Sequence, residues 1–192
     1  GREVGAAPPT RSSMAMPELL VPGARLITNL FFLAPDAQHQ KEETRAGIRW
    51  HPEELKNVHY SPGLTAGEWF FMAGQISMPD YENLRFEAAP PGLPHYFSDI
   101  EVQTEMTMVL LSEQLEANGM GLADIVDARV FLTQARRDYR TFVRTWERIF
   151  KPVGRLPSMN FIPSTQCNGL GGIMAKDLII EIDLIAYRGH GG

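Results

Sequence analysis

The chain has 192 residues, a length that holds one domain comfortably or two small ones. Its 18 Lys and Arg against 23 Asp and Glu leave a net charge of -5, poor electrostatics for gripping a phosphate backbone, so nucleic-acid partners are disfavoured. A hydrophobic fraction of 44% excludes wholesale disorder, and no run reaches the roughly 20 apolar residues that a membrane helix needs.

A single cysteine, Cys167, excludes an intrachain disulfide framework and fits a reducing compartment. The first residues, GREVGAAPPT, lack the apolar core of a signal peptide, so a cytoplasmic location is expected. In chain order, residues 8–35 carry two β-prone runs, Ser12 to Met16 and Ala24 to Ala34, separated by a turn-like segment ending in Pro22-Gly23. Residues 36–57 are polar without a sustained apolar stripe and read as a linker. A compact pattern fills residues 58–188, and residues 189–192 form a flexible tail.

Within the compact part, Glu68 to Ser77 reads as a strand in which Gly74 marks a bulge or a close backbone approach. Residues 78–97 are Pro-rich and irregular. Ser98 and Glu101 suggest a capping box for a helix that places Val102, Met106, Val109 and Leu110 on one face and stops at Gly119. Asp124 to Thr133 follows as a strand, with Val126, Ala128, Val130 and Leu132 alternating against Asp127, Arg129 and Phe131. Asp138 is placed to cap a second helix, in which Phe142, Trp146, Ile149 and Phe150 recur at helical spacing before Pro152 and Gly154 end it. Met159 to Ile162 and Leu178 to Tyr187 supply two last strands. This order predicts an α+β domain, a mixed sheet with its helices on one face, and a core that includes Phe70, Phe71, Met106 and Trp146.

Few residues offer metal or cofactor chemistry. His39, His51, His59, His95 and His190 show no ligand spacing, so no metal and no cofactor is expected. Cys167 has no visible His partner and reads as an inert side chain. Gly169 to Gly172 lacks the Lys-Ser/Thr that completes a phosphate loop and reads as a hairpin turn.

Five stretches together resemble the reactive intermediate deaminase family, RidA or YjgF. They are Tyr60-Ser61-Pro62-Gly63, Phe71 to Ile76 (FMAGQI), Asp99 to Thr104 (DIEVQT), Gly121 to Thr133 (GLADIVDARVFLT) and Ile180 to Ala186 (IEIDLIA). The resemblance implies a chorismate-mutase-like fold, homotrimeric or pseudo-trimeric packing, ligand clefts at subunit boundaries, and hydrolysis of small enamines and imines. It also implies an Arg in a Pro-x-Arg-Ser/Thr strand, suited to holding a substrate carboxylate bidentately. Here that strand reads Pro157-Ser158-Met159-Asn160-Phe161, so Met159 stands at the Arg position, and a thioether cannot replace the charge. The family's acidic residue on the last strand, thought to help position or activate water, is matched by Glu181, and its Asn on the second helix aligns near Val143.

An internal similarity adds a second, incomplete copy. Pro9 to Met14 (PTRSSM) resembles the signature strand, and Pro22 to Leu30 (PGARLITNL) resembles the turn and last strand that follow it. Aligned on the prolines, Arg11 corresponds to Met159 and Thr28 roughly to Glu181, so each copy keeps one member of the pair. On this reading the first copy needs roughly 90 more residues before Gly1 to be whole. Residues 1–35 are then the closing strands of an incomplete domain, and the missing remainder is an expected partner, as a separate or cleaved chain.

The expected site accordingly joins Arg11 as anion anchor, Glu181 as the group that orients or deprotonates water, and Tyr60 as a ring that excludes solvent. Gly74 serves backbone geometry with its N-H available to a ligand, and Met159 and Phe161 make the cleft apolar. Three functions follow: a divergent deaminase acting on a small imine, enamine or carboxylated metabolite, a non-catalytic ligand-binding or structural subunit, and, weakest given the acidic balance, a ribonuclease.

Overall fold

The computed structural model describes residues 10, 22–23, 40–48, 60–77, 99–164 and 178–189. Among them, strands β1 (Lys41–Thr44), β2 (Gly63–Ala66), β3 (Trp69–Met72), β4 (Ile125–Leu132), β5 (Ser158–Pro163) and β6 (Ile180–Tyr187) form one mixed sheet in the order β1-β2-β3-β6-β4-β5. Helix α1 (Asp99–Ala117) links β3 to β4, and α2 (Ala135–Phe150) links β4 to its parallel neighbour β5. Both crossovers step across the sheet in the same direction, so the common right-handed connection puts both helices on one face. The fold is therefore the expected α+β arrangement.

The first strands differ from their sequence reading. Residues 63–72 form a hairpin, with Gly67 at φ +60 in its two-residue turn, where the sequence suggested one strand from Glu68 to Ser77. Strand β1 lies inside the stretch read as a linker and pairs antiparallel with β2. Its residues, Lys41-Glu42-Glu43-Thr44, are the charged and polar kind that protect a sheet edge, which is why no apolar stripe marks it. Beyond β3, Phe71 pairs with Ile185 while Gln75 bridges Ile182, so the residues between outnumber those on β6 by one. Gly74 sits in this bulge, one of the two roles its sequence setting allowed.

Helix α1 buries a different face from the one its pattern suggested. Of Val102, Met106, Val109 and Leu110, only Leu110 is buried, and Val109 is 48% exposed. The buried stripe instead runs through Ile100, Gln103, Thr104, Thr107, Met108, Leu111, Gln114 and Leu115. Four of those residues are polar, and each amide has a use: Gln103 Oε1 accepts from Ile179 N at 3.0 Å, and Gln114 Nε2 donates to Gln75 Oε1 at 3.1 Å. Burying an amide is tolerable only when it is bonded in this way. Gly119, at φ +70, ends the helix, with Met120 N donating to Leu115 O. Ser98, the proposed cap, lies outside the described residues.

Strand β4 starts at Ile125 and carries a register shift between Ile125 and Asp127, so Ile125 takes the buried place assigned to Val126. Asp124 belongs instead to a short turn, where its Oδ2 accepts from Gly121 N at 2.8 Å. Helix α2 begins after Gln134, and Asp138 lies in its first turn, buried and paired with Arg137 at 2.6 Å, rather than at the cap. That hydrogen bond raises the Arg137 pKa above its ordinary value. Phe142, Trp146 and Phe150 enter the core as expected, and Gly154, at φ +75, follows the helix. The core joins these rings to Phe70, Met108, Leu111, Leu115, Val130, Ile180 and Ile182. Phe71 and Met106, expected there, are only partly buried.

Candidate functional site at the sheet

Alternation along each strand divides the sheet into a helix face and a second face. Val130, Leu132, Ile180, Ile182 and Leu184 lie on the helix face, in the core. In register with them on β5, Met159 stands beside Ala128 and Phe161 beside Val130. Both pack partly buried against the core. Phe161 meets Tyr139 edge-on at 5.0 Å and lies 6.3 Å from Phe142. Val143 packs on the same core. The position where a guanidinium was sought thus belongs to an apolar wall, with the 45%-exposed Tyr139 ring, unmarked in the sequence, at its rim.

Glu181 looks the other way. It is paired with Phe131 across the β4–β6 ladder and only 4% exposed. The next pair on that face is Arg129 and Asp183, whose Nε and Oδ1 lie 2.7 Å apart, with the Asp183 side chain almost fully buried. Beyond it Asn160 Nδ2 donates to Asp127 Oδ1 at 3.2 Å. The face is therefore polar along β4 and aromatic along β3, where Trp69 stacks near Phe71 at 6.2 Å and meets Tyr187 at 4.7 Å. The Arg129–Asp183 pair escaped sequence reading because only the register across two distant strands joins the two charges.

Tyr60 and Gly74 belong to Glu181's end of the sheet. Ala73 N donates to Pro62 O at 2.9 Å, which carries the β2–β3 register back toward Tyr60, and Gln75 N donates to Ile182 O at 2.8 Å. Three of the expected site residues, Tyr60, Gly74 and Glu181, are thus drawn to neighbouring strands. Met159 and Phe161 are not with them: β4 intervenes, and their side chains occupy the opposite face. Arg11, Thr28, Cys167, the Gly169–Gly172 segment and all five histidines lie outside the described residues. Among the described residues no group of three or more His, Cys, Asp and Glu could hold a metal ion, and no helix is long and apolar enough to cross a membrane.

A mixed sheet of six strands with two helices is the fold that the sequence resemblance implied. The family model described as Endoribonuclease L-PSP matches residues 53–188, well over half of the chain. The chain belongs to this family, RidA/YjgF. Its match begins inside the polar stretch that precedes the compact pattern. Among solved structures, a protein of Thermotoga maritima MSB8 is 26% identical, with a TM-score of 0.51, over 69% of this chain and 89% of its own. The YjgF gene product of E. coli is 24% identical, with a TM-score of 0.50, over 67% of this chain and 87% of its own. TdcF of E. coli, solved with bound serine, is 21% identical, with a TM-score of 0.51, over 68% of this chain and 89% of its own. No curated protein sequence matches the chain. The RidA/YjgF fold is thus common to all of them.

Proposed function

We propose that the chain is a divergent RidA-family enzyme that hydrolyses a small imine, or an enamine through its imine form, at a cleft between domains or subunits. The observation that carries this reading is the gathering of Tyr60, the Gly74 bulge and the buried Glu181 on neighbouring strands at one end of the sheet. In the reaction, water oxygen bonds to the imine carbon while Glu181 takes a water proton. Glu181 gives that proton to nitrogen, the hydroxyl proton of the resulting carbinolamine then moves to nitrogen as the carbon–nitrogen bond breaks, and a carbonyl compound and ammonia leave. Tyr60 excludes solvent, and Arg11 holds a substrate carboxylate in place of the guanidinium missing at Met159. TdcF, which shares the fold, was solved with an amino acid bound, and small amino-acid-derived ligands suit this reading.

Ammonia release from an amino-acid-derived imine generated in the assay tests the proposal. Glu181→Gln is expected to lower kcat about a hundredfold or more, the usual loss when a general base is removed. Arg11→Ala should act chiefly by raising KM for carboxylated substrates. The apolar wall of Met159 and Phe161 favours a second reading, a ligand-binding subunit without chemistry. Absence of ammonia release together with tight binding of an apolar metabolite would decide for it. RNA cleavage is the third and weakest reading, opposed by the net charge of -5.

A further inference from the structure

The net charge of the chain conceals a strongly basic surface on α2. Seven of the 18 cations, Arg136, Arg137, Arg140, Arg144, Arg148, Lys151 and Arg155, fall between residues 136 and 155, against two acids, Asp138 and Glu147. All seven are exposed, whereas of the two acids Asp138 is buried and only Glu147 is exposed. At 100° per residue, the cations from Arg136 to Lys151 project within about a third of the helix circumference, opposite the buried Phe142, Trp146 and Phe150.

Ion pairing accounts for only part of this stripe. Arg137 is bound to Asp138, and Arg148 reaches Glu101 at 2.8 Å and Glu105 at 2.5 Å. Arg155 donates to Ala123 O, and Arg144 donates only to Thr141 Oγ1, on its own helix. Arg136, Arg140 and Lys151 have no partner among the described residues. Fold stability does not explain the arrangement. Like charges at i and i+4, as in Arg136, Arg140 and Arg144, repel along a helix. Arginines in the first turn also oppose the positive end of the helix dipole. At Arg136, Arg140 and Arg144 the stripe therefore carries a local cost that the ion pairs of Arg137 and Arg148 do not offset.

We propose that the exposed face of α2 is a docking surface for an acidic segment of a partner protein. The surrounding charge selects this occupant over an extended polyanion. A nucleic acid or an anionic membrane would run beyond the stripe, and in the rest of the chain acids outnumber cations, with repulsion acting over a Debye length of about 10 Å. A short run of Asp and Glu, able to accept paired guanidinium hydrogen bonds, meets a stripe in which seven cations face one exposed acid, Glu147. The apolar side of α2 is already in the core, so the contact is electrostatic, and it should be salt-sensitive with fast association.

The test uses the full chain and a labelled oligoglutamate peptide, alongside a single-stranded oligonucleotide of equal charge and vesicles containing anionic lipid. At low salt the peptide should bind best and should be released as salt rises. The triple variant Arg136→Gln, Arg140→Gln, Arg144→Gln should bind it about tenfold more weakly, as expected from three modest ion pairs. Its Tm should be unchanged or higher, because the substitutions relieve repulsion. Equal peptide binding by both proteins, tighter binding of oligonucleotide or vesicles, or a fall in Tm in the variant would each overturn the proposal. Ammonia release is measured separately and is expected to be the same in both proteins.

Discussion

Arg129 and Asp183 show how a single residue pair can be decisive yet silent in sequence. Each looks like an ordinary polar position on an alternating strand, but the ladder sets them opposite one another on the face that carries Glu181. With the Asp183 side chain 2% exposed, its carboxylate depends on the bonded guanidinium. Arg129→Leu is accordingly expected to cost about 2 kcal/mol, less than a fully buried pair loses because Arg129 is itself partly exposed. Urea denaturation read as a shift in midpoint at constant slope would check it, and an unchanged midpoint would show that the pair contributes nothing. The sequence displayed Glu181 through its place in IEIDLIA and Met159 through its place in the signature strand. It could not display that the two side chains occupy opposite faces, because facing depends on pairing register and on the bulges at Gly74 and Val126.

Among the elements, strongly periodic segments were legible and edge or mixed-polarity segments were not. Helix α2 announced itself because Phe142, Trp146 and Phe150 recur against arginines, whereas α1 hid its buried face by lining it with glutamines and threonines. Strand β1 was hidden by its charges, and what fixes it is local geometry. Thr44 Oγ1 donates to Asn118 Oδ1 at 2.9 Å, and the following turn brings Gly47 against α1. Gly47 has φ +74, and a Cβ there would meet Glu113 O at 2.5 Å and Gln114 Cα at 2.7 Å. Gly47→Ala thus combines left-handed strain with a backbone clash, about 1–3 kcal/mol before the clash is counted. The loss should fall on β1 and its turn. Hydrogen exchange is expected to speed up at the β1–β2 ladder and remain slow in the β4–β6 ladder. Uniform acceleration throughout would mean that β1 folds as one unit with the rest of the sheet.

Across the whole molecule, the separation of the candidate residues bears on assembly. Glu181 and the wall of Met159 and Phe161 look out from opposite faces of the sheet with β4 between them, so one small ligand cannot touch both within a single chain. If the proposed hydrolysis uses both groups, two surfaces from different copies must meet, as in the subunit-boundary clefts that the family resemblance implies. Complementation between inactive variants tests this directly. Glu181→Gln and Met159→Asp chains, each expected to release little ammonia alone, are denatured, mixed in equal amounts and refolded. Random assembly into a closed oligomer places an intact Glu181 beside an intact Met159 at about one boundary in four, and activity should return to roughly a quarter of the unmodified level. Native mass spectrometry would establish that mixed oligomers had formed. Mixed oligomers without restored activity would place the whole site on one side of one chain, and Met159 and Phe161 would then be packing residues of the β5 edge with no part in the chemistry.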